Sequence, residues 1–198
     1  MATKTTVEVF KEKDKGLVAS FQDFEVTCNV ISTVDVHWNS SLTKQDGDKS
    51  TSSALLVDFN YVNSCTGDNL LMSGFLQPAN GTEANDLSTG HVDGVVTVTT
   101  DPDVNPTVLT ANLTVNVNFA ANGPATSFHD KSKTKGGGVT TVSDVSGSSR
   151  PGVAHGTISG ILPLMTGPKF VNLLNGPSAS AQLEKDANGT ITITKKTK

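Results

Sequence analysis

Two short acidic stretches carry the residue types that could hold a metal ion. Asp101-Pro102-Asp103-Val104-Asn105-Pro106 sets carboxylate, carboxylate and amide at alternate positions, and Asp46-Gly47-Asp48 repeats that spacing in miniature. Calcium takes roughly six to eight oxygen ligands, and alternate side chains converge on one ion when the backbone curls around it. The longer stretch opens like an EF-hand loop, D-x-D-x-N, and then departs from it. Pro106 stands where that loop needs glycine, and no glutamate closes it. An EF-hand is therefore excluded. Ordinary Asx-turn chemistry accounts for the same residues. The functional reading is a loop-end calcium (Ca2+) site built from Asp101, Asp103 and Asn105, with Asp46 and Asp48 adding oxygens.

Other constellations read more simply as ordinary surface. Ser41-Leu42-Thr43-Lys44 matches S-x-x-K, but Ser/Lys enzymes place that pair on a helix, and this stretch reads as strand running into loop. His37, His91, His129 and His155 have no second histidine at i+2 or i+4, so metal-ligand spacing is absent along the chain. Glu25 and Asp58 sit between apolar neighbours. That suits the paired carboxylates of a glycoside hydrolase, and equally the wet face of half-buried strands. The sequence holds one Trp and one Tyr, few aromatics to stack on sugars. It has no G-x-S-x-G elbow. The expectation is a protein that is not an enzyme. Asn-x-Ser/Thr occurs at Asn39, Asn80, Asn112 and Asn188, as a composition rich in Asn and Thr produces by itself.

The elements that must position these residues are strands. Leu109, Ala111, Leu113, Val115, Val117 and Phe119 alternate with Thr and Asn, and period two over that length means a long strand with one wet face. Val92, Val96 and Val98 make a second such strand over 91–100, and the Asp/Pro-rich stretch joins the two as a hairpin with a long connection. Similar patterns predict strands over 5–11, 17–27, 30–38, 54–62, 70–76, 139–145, 153–161, 181–185 and 190–194. Asp186-Ala187-Asn188-Gly189 reads as a hairpin turn. Segments 44–53 and 131–138 read as loops, and 83–88 and 168–174 as single helical turns. Strands at regular turn spacing argue an all-β fold, an antiparallel two-sheet β-sandwich, as one domain over residues 1–198.

Composition agrees. Of 198 residues, 35% are hydrophobic and 17% charged; Thr, Ser, Asn and Gly fill the difference, a mix that disfavours helix and suits strands and tight turns. The formal net charge of −4 and 5% aromatics argue against a nucleic-acid partner, which calls for a basic field. No apolar run is long enough for a transmembrane helix, and Thr3–Asp14 is polar where a signal peptide would be apolar. Cys28 and Cys65 leave two readings open: buried free thiols, or a disulfide joining neighbouring strands, which needs an oxidising compartment.

Three pieces resemble a loose group of uncharacterised bacterial β-proteins, many of them secreted. They are Tyr61-Val62-Asn63-Ser64-Cys65 with Leu70-Leu71-Met72-Ser73-Gly74-Phe75, the strand from Leu113 to Phe119 leading to Gly123-Pro124, and Arg150-Pro151-Gly152-Val153-Ala154-His155-Gly156-Thr157-Ile158. The resemblance implies an all-β fold, paired cysteines and no particular activity. In overall character the chain is also similar to small bacterial insecticidal or cytotoxic β-sandwich proteins that act on target-cell membranes. The expectation is a secreted or extracellularly acting, non-enzymatic binding module. Its partner would be a target membrane, glycan or surface receptor, as a calcium-assisted toxin component. The alternatives are a structural or adhesive surface protein and a hydrolase with a loop-built site.

Overall fold

A computed structural model describes residues 4–45, 47–105, 107–164, 167–172 and 179–197. Its strands are β1 (Lys4–Glu25), β2 (Val30–Gln45), β3 (Asp48–Asn63), β4 (Asp68–Leu76), β5 (Asn80–Glu83), β6 (Thr89–Thr100), β7 (Thr110–Ala121), β8 (Thr126–Gly136), β9 (Val139–Leu164), β10 (Gly167–Asn172) and β11 (Ala179–Thr197). The described helical content is one 3-10 turn, Thr27–Asn29. No helix among the described residues is long and apolar enough to cross a membrane.

Every ladder is antiparallel, as expected, but hydrogen bonds join all the strands into one eleven-stranded sheet rather than two. The reason is the length of β9, 26 residues, which gives it two neighbours along each edge. One edge pairs with β8 and then with β7, the other with β11 and then with β10. Pairing therefore runs β9–β11–β1–β2–β3–β4–β6–β7 and returns to β9, a closed, barrel-like ring. The core lies inside it. Leu17, Phe21, Val36, Leu55, Phe59, Tyr61, Met72, Val96, Leu113, Val117, Phe119, Ile158 and Leu183 are among its members, drawn from alternate positions of each strand. Gly81 of β5 lies directly on the Trp38 indole, where any Cβ would overlap the ring, so glycine there lets β5 cover the core.

The strands expected over 5–11 and 17–27 are one strand, β1, and those over 139–145 and 153–161 are one strand, β9. The expected loops at 44–53 and 131–138 are mostly strand as well: the end of β2, the start of β3 and the end of β8. The helical turn expected at 168–174 is β10 as far as Asn172, beyond which it lies outside the described residues. The one expected at 83–88 is the end of β5 and a turn. Asp186–Gly189 is no hairpin turn; β11 runs through it with a register shift between Ala187 and Thr190. Charge and serine do not stop a strand whose backbone finds partners on a neighbour, and here every one does.

Those extra strand lengths build a second region. Past the ring, the order β8–β9–β11–β1–β2–β3 continues as a thin open layer made by residues 4–15, 40–45, 48–53, 126–136, 139–149 and 185–197. Its described side chains are exposed or half-buried, and every residue of β8 is exposed. At about 3.3 Å per residue the layer reaches some 25–40 Å beyond the core.

The ring's opposite end is closed by a disulfide between Cys28 and Cys65, Cα–Cα 5.0 Å. Cys28 sits in the turn between β1 and β2 and Cys65 in the turn after β3. The bridge thus ties neighbouring turns rather than strand interiors, and the free-thiol reading is set aside.

Candidate functional site

Among the described residues, the expected metal ligands fall at two separate places. Asp101, Asp103 and Asn105 share the β6–β7 loop, at the disulfide end of the ring. There Asp101 acts as an Asx cap: its Oδ1 accepts the Asp103 amide at 2.8 Å, while its carbonyl accepts the Asn105 amide at 2.8 Å. The Asn105 side chain is turned to the Asn69 carbonyl, 3.0 Å away. Asp48 stands at the β2–β3 hairpin, in the thin layer at the level of Phe10. About twelve residues of β3 separate it from the level of Asp101, roughly 40 Å. Asp46 lies outside the described residues. Among the described residues, no group of three or more His, Cys, Asp or Glu is placed to hold a metal ion.

The other candidates are dispersed too. Ser41 and Lys44, three apart on β2, point to opposite faces. Ser41 donates to Glu12 Oε1 at 3.3 Å instead. Asp58 faces outward from the ring directly opposite Asp35, whereas Glu25 lies at the disulfide end opposite Val30. His91 and His155 flank Asn118 in one cross-strand row. His91 Nδ1 is 3.0 Å from Asn118 Oδ1, and its Nε2 is 3.2 Å from Asp93.

What the register does assemble is a lysine face. Residues directly opposite on paired strands share a face. One row crosses the whole layer: Lys131 faces Asp144, Asp144 faces Thr190, Thr190 faces Lys11, Lys11 faces Lys44 and Lys44 faces Lys49. Alternation adds Lys13 and Lys15 from β1, and Lys133 and Lys135 from β8. All are exposed except half-buried Lys15, whose Nζ donates to the Glu83 carbonyl at 2.9 Å and to Asn85 Oδ1 at 3.3 Å. Asp144 is the one carboxylate in these rows among the described residues. His129 Nε2 lies 2.7 Å from its Oδ1, and Lys131 Nζ 3.0 Å from its Oδ2. These two bonds, His129 first, hold the Asp144 carboxyl below its usual range.

The reverse face has the opposite sign. Glu8, Glu12, Asp14, Asp48 and Asp130 alternate onto it, and Lys195 answers one of them, Glu8, at 3.7 Å. It also holds a cavity of about 300 Å³ lined by Phe10, Glu12, Asp14, Thr43, Phe128, Val145, Gly189 and Ile191.

Sequence reading missed this two-faced layer because it took 44–53 and 131–138 for loops. The signal was there: Lys11, Lys13, Lys15 and Lys131, Lys133, Lys135 each recur with period two, the mark of a strand face even when every member is charged. The chain matches no known family model, no curated protein and no solved structure.

Proposed function

We propose that this protein is a non-enzymatic binding module that docks on the anionic surface of a target cell through its lysine face. One observation carries the reading: Lys11, Lys44 and Lys49 stand directly opposite one another on three adjacent strands. Like charges so placed destabilise a sheet, a cost that a bound anionic surface would offset. The field is about five strand spacings wide, roughly 24 Å, broader than a linear polyanion and suited to an array of lipid head groups. Lysines are flexible point charges without the fixed fork of arginine, suited to many scattered phosphates rather than one. Exposed Val7 and half-buried Val9 and Leu42 lie among them and would meet the interface. The disulfide is consistent with an extracellular place of action, and a secreted toxin component is the role this reading favours.

Co-sedimentation with vesicles tests it. Binding to phosphatidylserine/phosphatidylcholine vesicles, absent from phosphatidylcholine alone and weakening with salt, is the expected result. At about 1 kcal/mol per lysine, Lys131→Gln/Lys133→Gln/Lys135→Gln weakens it roughly a hundredfold. Equal binding by that variant would sink the proposal. Calcium assistance now rests on the Asp101–Asn105 loop alone. It predicts a melting temperature raised by millimolar calcium in wild type and not in Asp101→Asn/Asp103→Asn.

An adhesive role has one observation in its favour: the outer edge of β8 and the first residues of β3 pair with no further strand among those described. It predicts oligomers that grow with protein concentration in the absence of lipid. Against it, Lys131, Lys133 and Lys135 guard the β8 edge in the way that edge charges deter strand addition.

A further inference from the structure

We infer that the cavity on the acidic face is a binding site for an organic cation, an ammonium group carried on a compact apolar body. Its volume, about 300 Å³, stands at the lower end of small-ligand pockets, which are mostly apolar with a few placed polar groups. The lining follows that pattern. Phe10, Phe128, Val145 and Ile191 supply apolar wall from β1, β8, β9 and β11, while Glu12 and Asp14 supply carboxylates from alternate positions of β1. The register places small residues where the cavity needs room: Gly189 lies opposite Glu12 and Gly147 opposite Phe128.

The charge of the ligand follows from the carboxylates. Asp14 Oδ1 is buried and has no hydrogen-bond partner among the described residues. A carboxylate oxygen withdrawn from water without a partner is costly, and a cation in the cavity would relieve that cost. Glu12 is held from the side by the Ser41 hydroxyl, at 3.3 Å from its Oε1. The lysine of this face with an ion pair, Lys195, is engaged with Glu8. An anionic ligand would be repelled by both carboxylates, and a neutral apolar one would bury them further. A hard metal ion would find two carboxylates and a threonine hydroxyl among apolar walls, short of the oxygen shell it needs. An ammonium on an apolar body satisfies every group present: its charge meets Glu12 and Asp14, and its carbons meet the phenyl rings, whose faces attract cations.

This site is on the opposite face from the lysines, so it stands or falls independently of surface docking. The test is an NMR titration of the whole protein with four probes: benzyltrimethylammonium, N-acetyl-lysine methylamide, benzyl alcohol and benzoate. Either cation should shift the amide signals of Phe10, Asp14, Phe128 and Ile191, and a saturating amount should raise the melting temperature. The quaternary probe alone would point to choline-type head groups as the source, the lysine probe alone to a lysine side chain. Asp14→Asn and Phe128→Ala, each checked for an unchanged circular dichroism spectrum, should weaken binding about tenfold. Benzyl alcohol binding as tightly as the cations, full affinity in Asp14→Asn, or no shift with either cation would overturn the assignment.

Discussion

At the scale of single residues, the most constrained charge is Asp144. It is the anion inside a cationic face, gripped by His129 and Lys131, and those bonds lower its folded pKa below the ordinary aspartate value. A carboxyl depressed by folding stabilises the folded state above its unfolded pKa, and that contribution is lost as pH falls through the lower folded value. The contact should therefore persist at pH 5 and fail only under strong acid, below about pH 4. An NMR titration of the Asp144 carboxyl carbon, with amide exchange of β8 followed in parallel, checks this. A midpoint at or above the value of an exposed aspartate would contradict it. Asp86 is lowered in the same sense, first by the Ser88 hydroxyl and then by the Ser88 amide, with the Arg150 charge adding to them; Arg150 Nη1 also donates to the Asp86 carbonyl at 3.4 Å.

At the scale of elements, two joints hold the ring. The first is the seam between β4 and β6, which rests on two residue pairs, Met72 with Thr100 and Ser73 with Thr99. Next to it, a Cβ on Gly74 would collide with the Thr97 carbonyl of β6. Backbone cannot step aside as a side chain can, so Gly74→Ala should cost about 1–3 kcal/mol, read from urea unfolding. Gly67→Ala, tried as a control of exposed turn strain, would leave the seam intact. The second joint is Cys28–Cys65, which closes a span of 37 residues. Loop-closure arithmetic gives about 3–4 kcal/mol, so Cys28→Ser/Cys65→Ser should lose that much stability while keeping its strand spectrum. At this scale the sequence was most legible where alternation was apolar. The β6–β7 hairpin was read correctly from Val92–Val98 and Leu109–Phe119, and the registers Val96 with Leu113 and Val98 with Ala111 follow it. It was least legible for β8 and the ends of β2 and β3, because an all-exposed strand has no apolar partner set to betray it.

At the scale of the whole molecule, the chain divides into a packed ring and a thin layer with little core of its own. Stability should divide likewise. Amides of the segments Leu55–Tyr61 and Leu113–Phe119, whose alternate side chains are buried, should exchange only by global unfolding. Those of β8, and of β1 before Lys15, should exchange by cheaper local opening. Hydrogen exchange measured against denaturant would show two isotherms, and a single merged one would argue against the division. The layer matters because its faces carry opposite signs: lysines on one, carboxylates and an apolar cavity on the other. A formal net charge of −4 conceals both, since net charge sums over faces that never meet the same partner.

The sequence by itself determined the all-β character and the alternation that fills the core, because each depends on near neighbours along the chain. It also held the period-two lysines, though not their meaning. The tertiary structure alone decided that Asp48 and Asp101 stand at opposite ends, that β9 closes one sheet into a ring instead of leaving two, and that Cys28 meets Cys65. It alone brought Lys11, Lys44, Lys49 and Lys131 into one row and set Phe10 and Phe128 around Glu12 and Asp14. These depend on register between strands distant in sequence. A shift of one residue in any ladder would send every side chain of that strand to the other face.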